Sequence, residues 1–490
     1  MIDETTSETL DLSNIQGNIL KGYRSDLQYV RHIALEVKDR AAARSFLARS
    51  VAGKDSGVPT ITRATPWADP GPEICFNIGI TFEGMRALGL PSAMLESFPT
   101  EFVEGMAKRS LKIGDFGESA AANWAAPFDG SNRLHIIATV YAKDRARLGR
   151  VQADIARAFN VLGERDGWAR SDVNVLGPTY ADDGSPDNRV FFGYADSITQ
   201  PRFKVPQYPD PPTTQPIAPY GTVLLGYETP LEGVRFRVPM NDELGKDGTF
   251  NSFRILAQDV HAFEAYLDEA AGLLMQLEKD QHRQVLPADG EKDILHVKDR
   301  FGAIREFVAA QICGRWRNGT PVDKWPYAPL PNPTPEQLHD FNYNGESPCP
   351  AGAHIRRASP RDGQIVQRAA NYARQLVRRG MPYGPDFDPA KPDKAERGLL
   401  GSFIGASIGA QFEAVMCDWI NLGLHNPDIT RFNDPMIGAN ATETSVFDLR
   451  LYDGKNYRLR GFPRFVRTRG GAYAFLPSIN AIEYLAKLEG

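Results

Sequence analysis

Seven prolines fall within twenty residues: Pro201, Pro206, Pro209, Pro211, Pro212, Pro216 and Pro219. Proline has no amide donor and a fixed φ, so this stretch can be neither a helix interior nor a central strand. It divides the 490-residue chain into two parts, and each must bury a core of its own. The length suits two large domains. The expected boundaries are an N-terminal domain over 1–205, a linker over 206–220 and a C-terminal domain over 221–490.

Each part carries an α+β pattern. Tyr29 to Val37 nearly alternates apolar with polar residues, which suits a half-buried strand. The Ala- and Arg-rich stretch from Arg40 to Val51 reads as a helix. Glu73 to Phe82 and Leu134 to Tyr141 read as strands, and Asp144 to Leu162 as an amphipathic helix. After the prolines the pattern restarts, with strands expected at Gly221 to Tyr227 and Phe250 to Leu256. A long helix follows, with Asp259 as N-cap. Its Val260, Phe263, Leu267, Ala270, Leu274 and Leu277 make one apolar stripe. Phe301 to Cys313 and Arg397 to Trp419 read as further buried elements. Helices lying on antiparallel sheets are the architecture this order implies.

Charge narrows the function. With 56 basic and 61 acidic side chains the net charge is -5, so there is no global field to hold nucleic acid. No run of about 18 apolar residues occurs, so no membrane span is expected. The first residues lack a basic and apolar leader pattern. Four widely separated cysteines give neither a disulfide framework nor a zinc ligand set. A cytoplasmic location is the expectation.

Nucleotide-binding, zinc-protease and α/β-hydrolase signatures are all missing. The unusual composition lies from His354 to Arg379. Arg356, Arg357, Arg361, Arg368, Arg374, Arg378 and Arg379 face a single acid, Asp362. A salt-bridged helical face would account for such a cluster. So would an anionic cofactor, because guanidinium groups bind carboxylate in a fork. One imidazole suffices to hold haem iron, since the porphyrin supplies four ligands, and haem propionates would occupy the arginines.

The segment Cys349-Pro-Ala-Gly-Ala-His-Ile-Arg-Arg-Ala-Ser-Pro-Arg361 resembles the proximal-histidine motif of the dye-decolourising peroxidases. Asn14 to Tyr23 is similar to that family's opening strand, and Phe192 to Pro201 to its distal G-x-x-D-G segment. Gly314 to Pro321, Arg378 to Gly384 and Arg467 to Pro477 resemble further signatures, in the family's order. The likeness runs from about residue 13 to 489 and is to the larger cytoplasmic type.

The resemblance implies two ferredoxin-like domains, each an antiparallel sheet with helices, and one haem b per chain in the C-terminal domain. His354 matches the axial iron ligand, Asp196 the distal acid and Arg378 the distal arginine. Arg357 matches a propionate-binding residue, and Gly193, Ile198, Leu399 and Phe403 match positions beside the cofactor. The implied reaction reduces hydrogen peroxide and oxidises bulky aromatic or dye-like donors through an oxoferryl intermediate. A haem or porphyrin carrier, or a deferrochelatase-like protein, is the competing reading. Three departures bear on this choice. Ser197 stands where the family has the second glycine of G-x-x-D-G. Gly401 replaces a pocket Phe, which widens the distal side unless Phe403 fills the gap. Gly409 stands where relatives often place an acid that hydrogen-bonds the axial His, and Glu413 or a backbone carbonyl is the expected substitute. Donor identity and oligomeric state are not legible here.

Overall fold

The computed structural model describes residues 10–53, 57–169, 189–205, 207, 215–230, 234–239, 242–294, 297–343, 345–361, 363 and 374–488. Most of the proline linker, at 206 and 208–214, lies outside the described residues, as do Asp362 and Arg368.

The N-terminal half runs β1 (Tyr29–Glu36), α1 (Arg40–Ala52), β2 (Ile74–Ile80), β3 (Ile136–Ala142), α2 (Arg145–Ile155) and β4 (Asn160–Trp168). Its strands lie in the order β4-β1-β3-β2, all antiparallel. The C-terminal half repeats the plan with β5 (Thr249–Gln258), α3 (Val260–Gln281), α4 (Arg300–Cys313), the one-turn α5 (His354–Ala358), β6 (Val377–Tyr383) and β7 (Gly398–Gly405). A wide-turned π-helical stretch follows at Ile408–Glu413 and Val415–Asn421. The hairpin β8 (Val446–Arg450) and β9 (Asn456–Arg460) precedes β10 (Val466–Leu476) and α6 (Ile479–Lys487). The order β10-β5-β7-β6 repeats that of the first half, so each half has the 4-1-3-2 order of a ferredoxin-like sheet.

The two sheets meet edge to edge where Phe475 of β10 pairs with Ile80 of β2, making eight continuous strands. The outer edges also close on each other. A Cβ on Gly167 of β4 would sit 2.8 Å from the Met381 side chain and the Pro382 carbonyl of β6. That proximity covers edges which would otherwise offer unpaired backbone groups.

The helices begin where side chains satisfy free amides. Asp39, Asp144, Asp259 and Asp299 accept from the backbone N–H three residues on, at 2.8–3.0 Å. The stripe expected on α3 is buried, from Val260 to Leu277.

Two expectations are corrected. The helix from Asp144 ends at Ile155, and β4 begins at Asn160. Gly163 and Gly167 weaken helix there, while β1 offers a full row of partners. The strand expected at Gly221 to Tyr227 is a short turn and loop. Gly221 donates to the Glu228 carbonyl at 2.9 Å, and a Cβ there would meet backbone oxygens within 2.4 Å. The element from Arg397 to Trp419 resolves into β7 and the π-helical stretch.

The pleat of β5 and β7 separates two environments. Phe253, Ile255 and Leu400 face inward and pack with Ala34 and Ile137 of the first half. Arg254, Leu256, Leu399, Gly401 and Phe403 alternate with them and line a cavity on the opposite face.

Candidate active site

The cavity measures about 890 Å³, within the roughly 300–1,000 Å³ range of pockets that enclose small molecules and cofactors. His354 borders it as the first residue of α5. Its Nδ1 lies 2.9 Å from Oδ2 of Asp434, which is fully buried. The other oxygen of Asp434 accepts from the amides of Met436 at 2.8 Å and Ile437 at 2.9 Å. Burial alone would raise this carboxyl. The neighbouring His354, Arg357 and amide donors outweigh burial and hold it below its ordinary value. An ionised Asp434 places the imidazole proton on Nδ1 and leaves the Nε2 lone pair for a metal.

Asp434 was not expected from the sequence. Glu413, expected as the histidine's partner, is committed elsewhere. It is buried in a fork with Arg109 at 2.5 and 2.6 Å, with Lys112 at 3.1 Å and the Tyr473 hydroxyl at 3.0 Å. Gly409 leaves room for the Glu101 side chain, whose Oε1 would lie 2.2 Å from an added Cβ.

Asp196 reaches the cavity from a segment with little freedom. Gly193 closes a tight turn at φ 78°, donating to the Val190 carbonyl at 2.7 Å. The Tyr194 hydroxyl donates to the Ala309 carbonyl at 2.8 Å, and the Ala195 amide to the Arg317 carbonyl at 2.8 Å. Ser197 has φ 62°, the left-handed conformation that glycine adopts at least cost. Asp196 and Arg378, the expected distal acid and arginine, do not pair with each other. Asp196 Oδ2 is instead hydrogen-bonded by Nη1 of Arg24.

Arg378 lies on β6 across from Phe403 of β7. Its guanidinium donates to the carbonyls of Leu376, at 2.9 Å, and Thr199. Gln200 bonds both its amide and its carbonyl, at 2.9 and 3.1 Å, tying the Asp196 segment to β6. The Arg378 side chain is open to the cavity; the protein packed around it lowers it from its ordinary value, with the Asp196 charge opposing. Adjacent Arg379 also borders the cavity but donates to the carbonyls of Asn18 and Ile19.

Of the positions expected beside a cofactor, Ile198, Leu399 and Phe403 line the cavity. Gly193 is not among the lining residues and serves as the turn residue between Phe192 and Tyr194, which are. Arg357 is the correction. It is 1% exposed, and its guanidinium donates to the carbonyls of Gly352, Trp419 and Phe432 at 2.7–3.2 Å. That arrangement ties α5 to the π-helical stretch rather than serving the cavity. Pro360 ends the segment, and Arg361, at φ 48°, turns the next guanidinium toward the cavity. Arg361 donates to the carbonyls of His339 and Phe341, and Arg315 to those of Gly319 and Leu338. Burial, with the like charge of Arg361 second, depresses Arg315 to about 10.

The Gly401 gap is filled. A Cβ there would come within 2.8 Å of the Phe403 ring, so Phe403 takes the space beside Gly401.

Among the described residues nine arginines and two aspartates line the cavity, and no carboxylate is ion-paired with Arg315, Arg378 or Arg379. Such a surplus of cations suits an anionic group. A free imidazole nitrogen and guanidiniums able to pair with carboxylates fit haem, which His354 would hold by its iron and Arg315 and Arg361 by its propionates. Arg24, Arg315 and Asp434 come from segments distant from the histidine motif, and no spacing in the sequence marks them.

No family model matches the chain. A dye-decolorizing peroxidase of Exidia glandulosa is 26% identical over 97% of this chain and 87% of its own length. The multifunctional dye peroxidase of an Amycolatopsis strain is 24% identical over 96% of this chain and 94% of its own. A solved dye-decolorizing peroxidase in complex with 2,6-dimethoxyphenol superposes with a TM-score of 0.76 at 25% identity, covering 97% of this chain and 100% of that one. In sequence and in fold the chain is thus similar, over nearly all of its length, to dye-decolorizing peroxidases.

Proposed function

We propose that the chain is a haem peroxidase that reduces hydrogen peroxide and oxidises aromatic donors, with one haem b held at His354. The observation that carries this reading is the buried Asp434 carboxylate on Nδ1 of His354, which borders an arginine-lined cavity that Asp196 and Arg378 also enter. Haem would supply the iron, and hydrogen peroxide the two oxidising equivalents that pass to the donor.

The chain's own residues supply the rest. Asp434 fixes the tautomer and makes His354 a stronger electron donor. The Asp196 carboxylate accepts a proton from one peroxide oxygen and returns it to the other. Arg378 keeps its charge and stabilises the negative charge that develops as the O–O bond breaks. Arg315 and Arg361 neutralise the propionates.

The competing carrier reading drew on Gly401 and Gly409. Phe403 and Asp434 supply what those glycines lack, so it loses its motive. We also place the protein with the larger cytoplasmic type, a reading supported by four cysteines that are all free. Among the described residues, no helix is long and apolar enough to cross a membrane.

The test is reconstitution with haem, followed by peroxide and 2,6-dimethoxyphenol. A Soret band with peroxide-dependent oxidation of the phenol is expected. Haem binding without turnover between pH 3 and 8 would overturn the reading.

A further inference from the structure

The geometry points to Arg24 as the positioning residue for Asp196, an inference that rests on the proposed peroxidase reading. The charged side chains that face this carboxylate are Arg24 and Arg378, from opposite sides of the chain's topology. Arg378 spends its observed hydrogen bonds on carbonyls, so Arg24 is the cation hydrogen-bonded to Asp196 among the described residues.

Arg24 is built into the N-terminal half. Its neighbour Tyr23 is 2% exposed and donates to Oδ1 of Asn77 on β2 at 3.2 Å. The Asp26 and Leu27 amides close a turn on the Tyr23 carbonyl at 3.0 and 2.7 Å. The Arg24 side chain is 9% exposed, and its Nε and Nη2 are buried with no partner in the structure. A guanidinium held dry for a single carboxylate is not an ordinary surface pair, which would contribute little.

Asp196 needs such a holder. Its side chain is 37% exposed, and it precedes the left-handed Ser197. Left alone, the carboxylate would spread over several rotamers facing the cavity. Anchoring one oxygen on Arg24 leaves the other oxygen in a defined place for proton exchange. Rates in such sites fall by about 10²-fold for a misplacement of about 1 Å.

The test uses the full chain loaded with haem and the variants Arg24→Leu, Arg24→Gln, Arg24→Lys and Asp196→Asn. Two rates are read: the absorption change on adding peroxide, and cyanide association. Hydrogen cyanide gives up its proton on binding iron, so its association reports on the proton acceptor without turnover. Arg24→Leu and Arg24→Gln are expected to slow both rates by about 10- to 100-fold, with the Soret position and the KM for 2,6-dimethoxyphenol unchanged. Arg24→Lys, which keeps a cation, is expected to recover to within about fivefold. If Arg24→Leu does not load haem, the Gln and Lys pair decides the question. Both rates within twofold of the parent in Arg24→Leu or Arg24→Gln would overturn the role of Arg24. If Asp196→Asn is slow at the same time, the peroxidase reading stands without it. If Asp196→Asn is itself as fast as the parent, the distal role of Asp196 falls, and that of Arg24 with it.

Discussion

Replacing Asp434 by Asn should disable the proximal side while leaving its shape almost unchanged. The carboxylate makes three bonds: Oδ1 accepts from the amides of Met436 and Ile437, and Oδ2 from His354 Nδ1. The two amides are donors fixed by backbone, so they will claim the single oxygen of Asn. Its NH₂ must then face His354 Nδ1. Two donors cannot share one hydrogen bond, so the imidazole moves its proton to Nε2 and loses the lone pair that a metal needs. The loss comprises one charge-assisted hydrogen bond in a fully buried place, about 1.5–3 kcal/mol. That corresponds to about 10- to 150-fold weaker axial ligation, overlapping the about 10- to 100-fold seen when a ligand's supporting carboxylate is removed. The assay is haem titration followed by the absorption spectrum at neutral pH, with Asp434→Glu as a charge-keeping control. The expected result is weak loading or a spectrum without histidine ligation. An Asp434→Asn protein that binds haem within twofold of the parent, with an unchanged Soret band, would refute the tautomer argument.

Two further outcomes follow from single residues. His32 is 2% exposed between Thr139 and Phe253, and burial depresses it from 6.5 to about 4. The unfolded chain binds this proton first, so His32 contributes stability above pH 6.5 that is lost as pH falls toward 4. The loss approaches about 3 kcal/mol at about 1.4 kcal/mol per unit, and His32→Gln should flatten that part of the pH–melting curve; an unchanged curve would exclude His32 as its source. Ser197→Gly removes a left-handed strain of about 1 kcal/mol, so it should raise the melting temperature; a lower one would show that the Ser197 side chain contributes more than its backbone costs.

What was legible in the sequence follows from the range of the forces involved. The α3 stripe and its Asp259 cap were readable because both act within one or two helical turns. The strand β4 was not. Its residues are nearly all half-buried, so no alternation marks it, and only pairing with β1 makes it a strand. The same division runs through the site. His354 sits in a dense local motif that singles it out. Asp434 lies 80 residues away, and its place is set by its amide on the Ile420 carbonyl and by Asn440 on its own carbonyl, at 2.7 Å each. Those bonds read backbone, which every residue carries, so no spacing records them.

Arg357 shows the converse. The resemblance placed this residue, three beyond the histidine, beside the cofactor. Yet α5 ends at Ala358, and the residue that one more turn would have continued past the cavity is brought back to it by Pro360 and the left-handed Arg361. A short helix that must dock on the π-helical stretch needs a long donor facing Trp419 and Phe432, and Arg357 supplies it. Cavity charge then passes to Arg361 and, from α4's exit, to Arg315. An arginine cluster in sequence therefore records a total of positive charge more faithfully than it records which guanidinium meets the ligand.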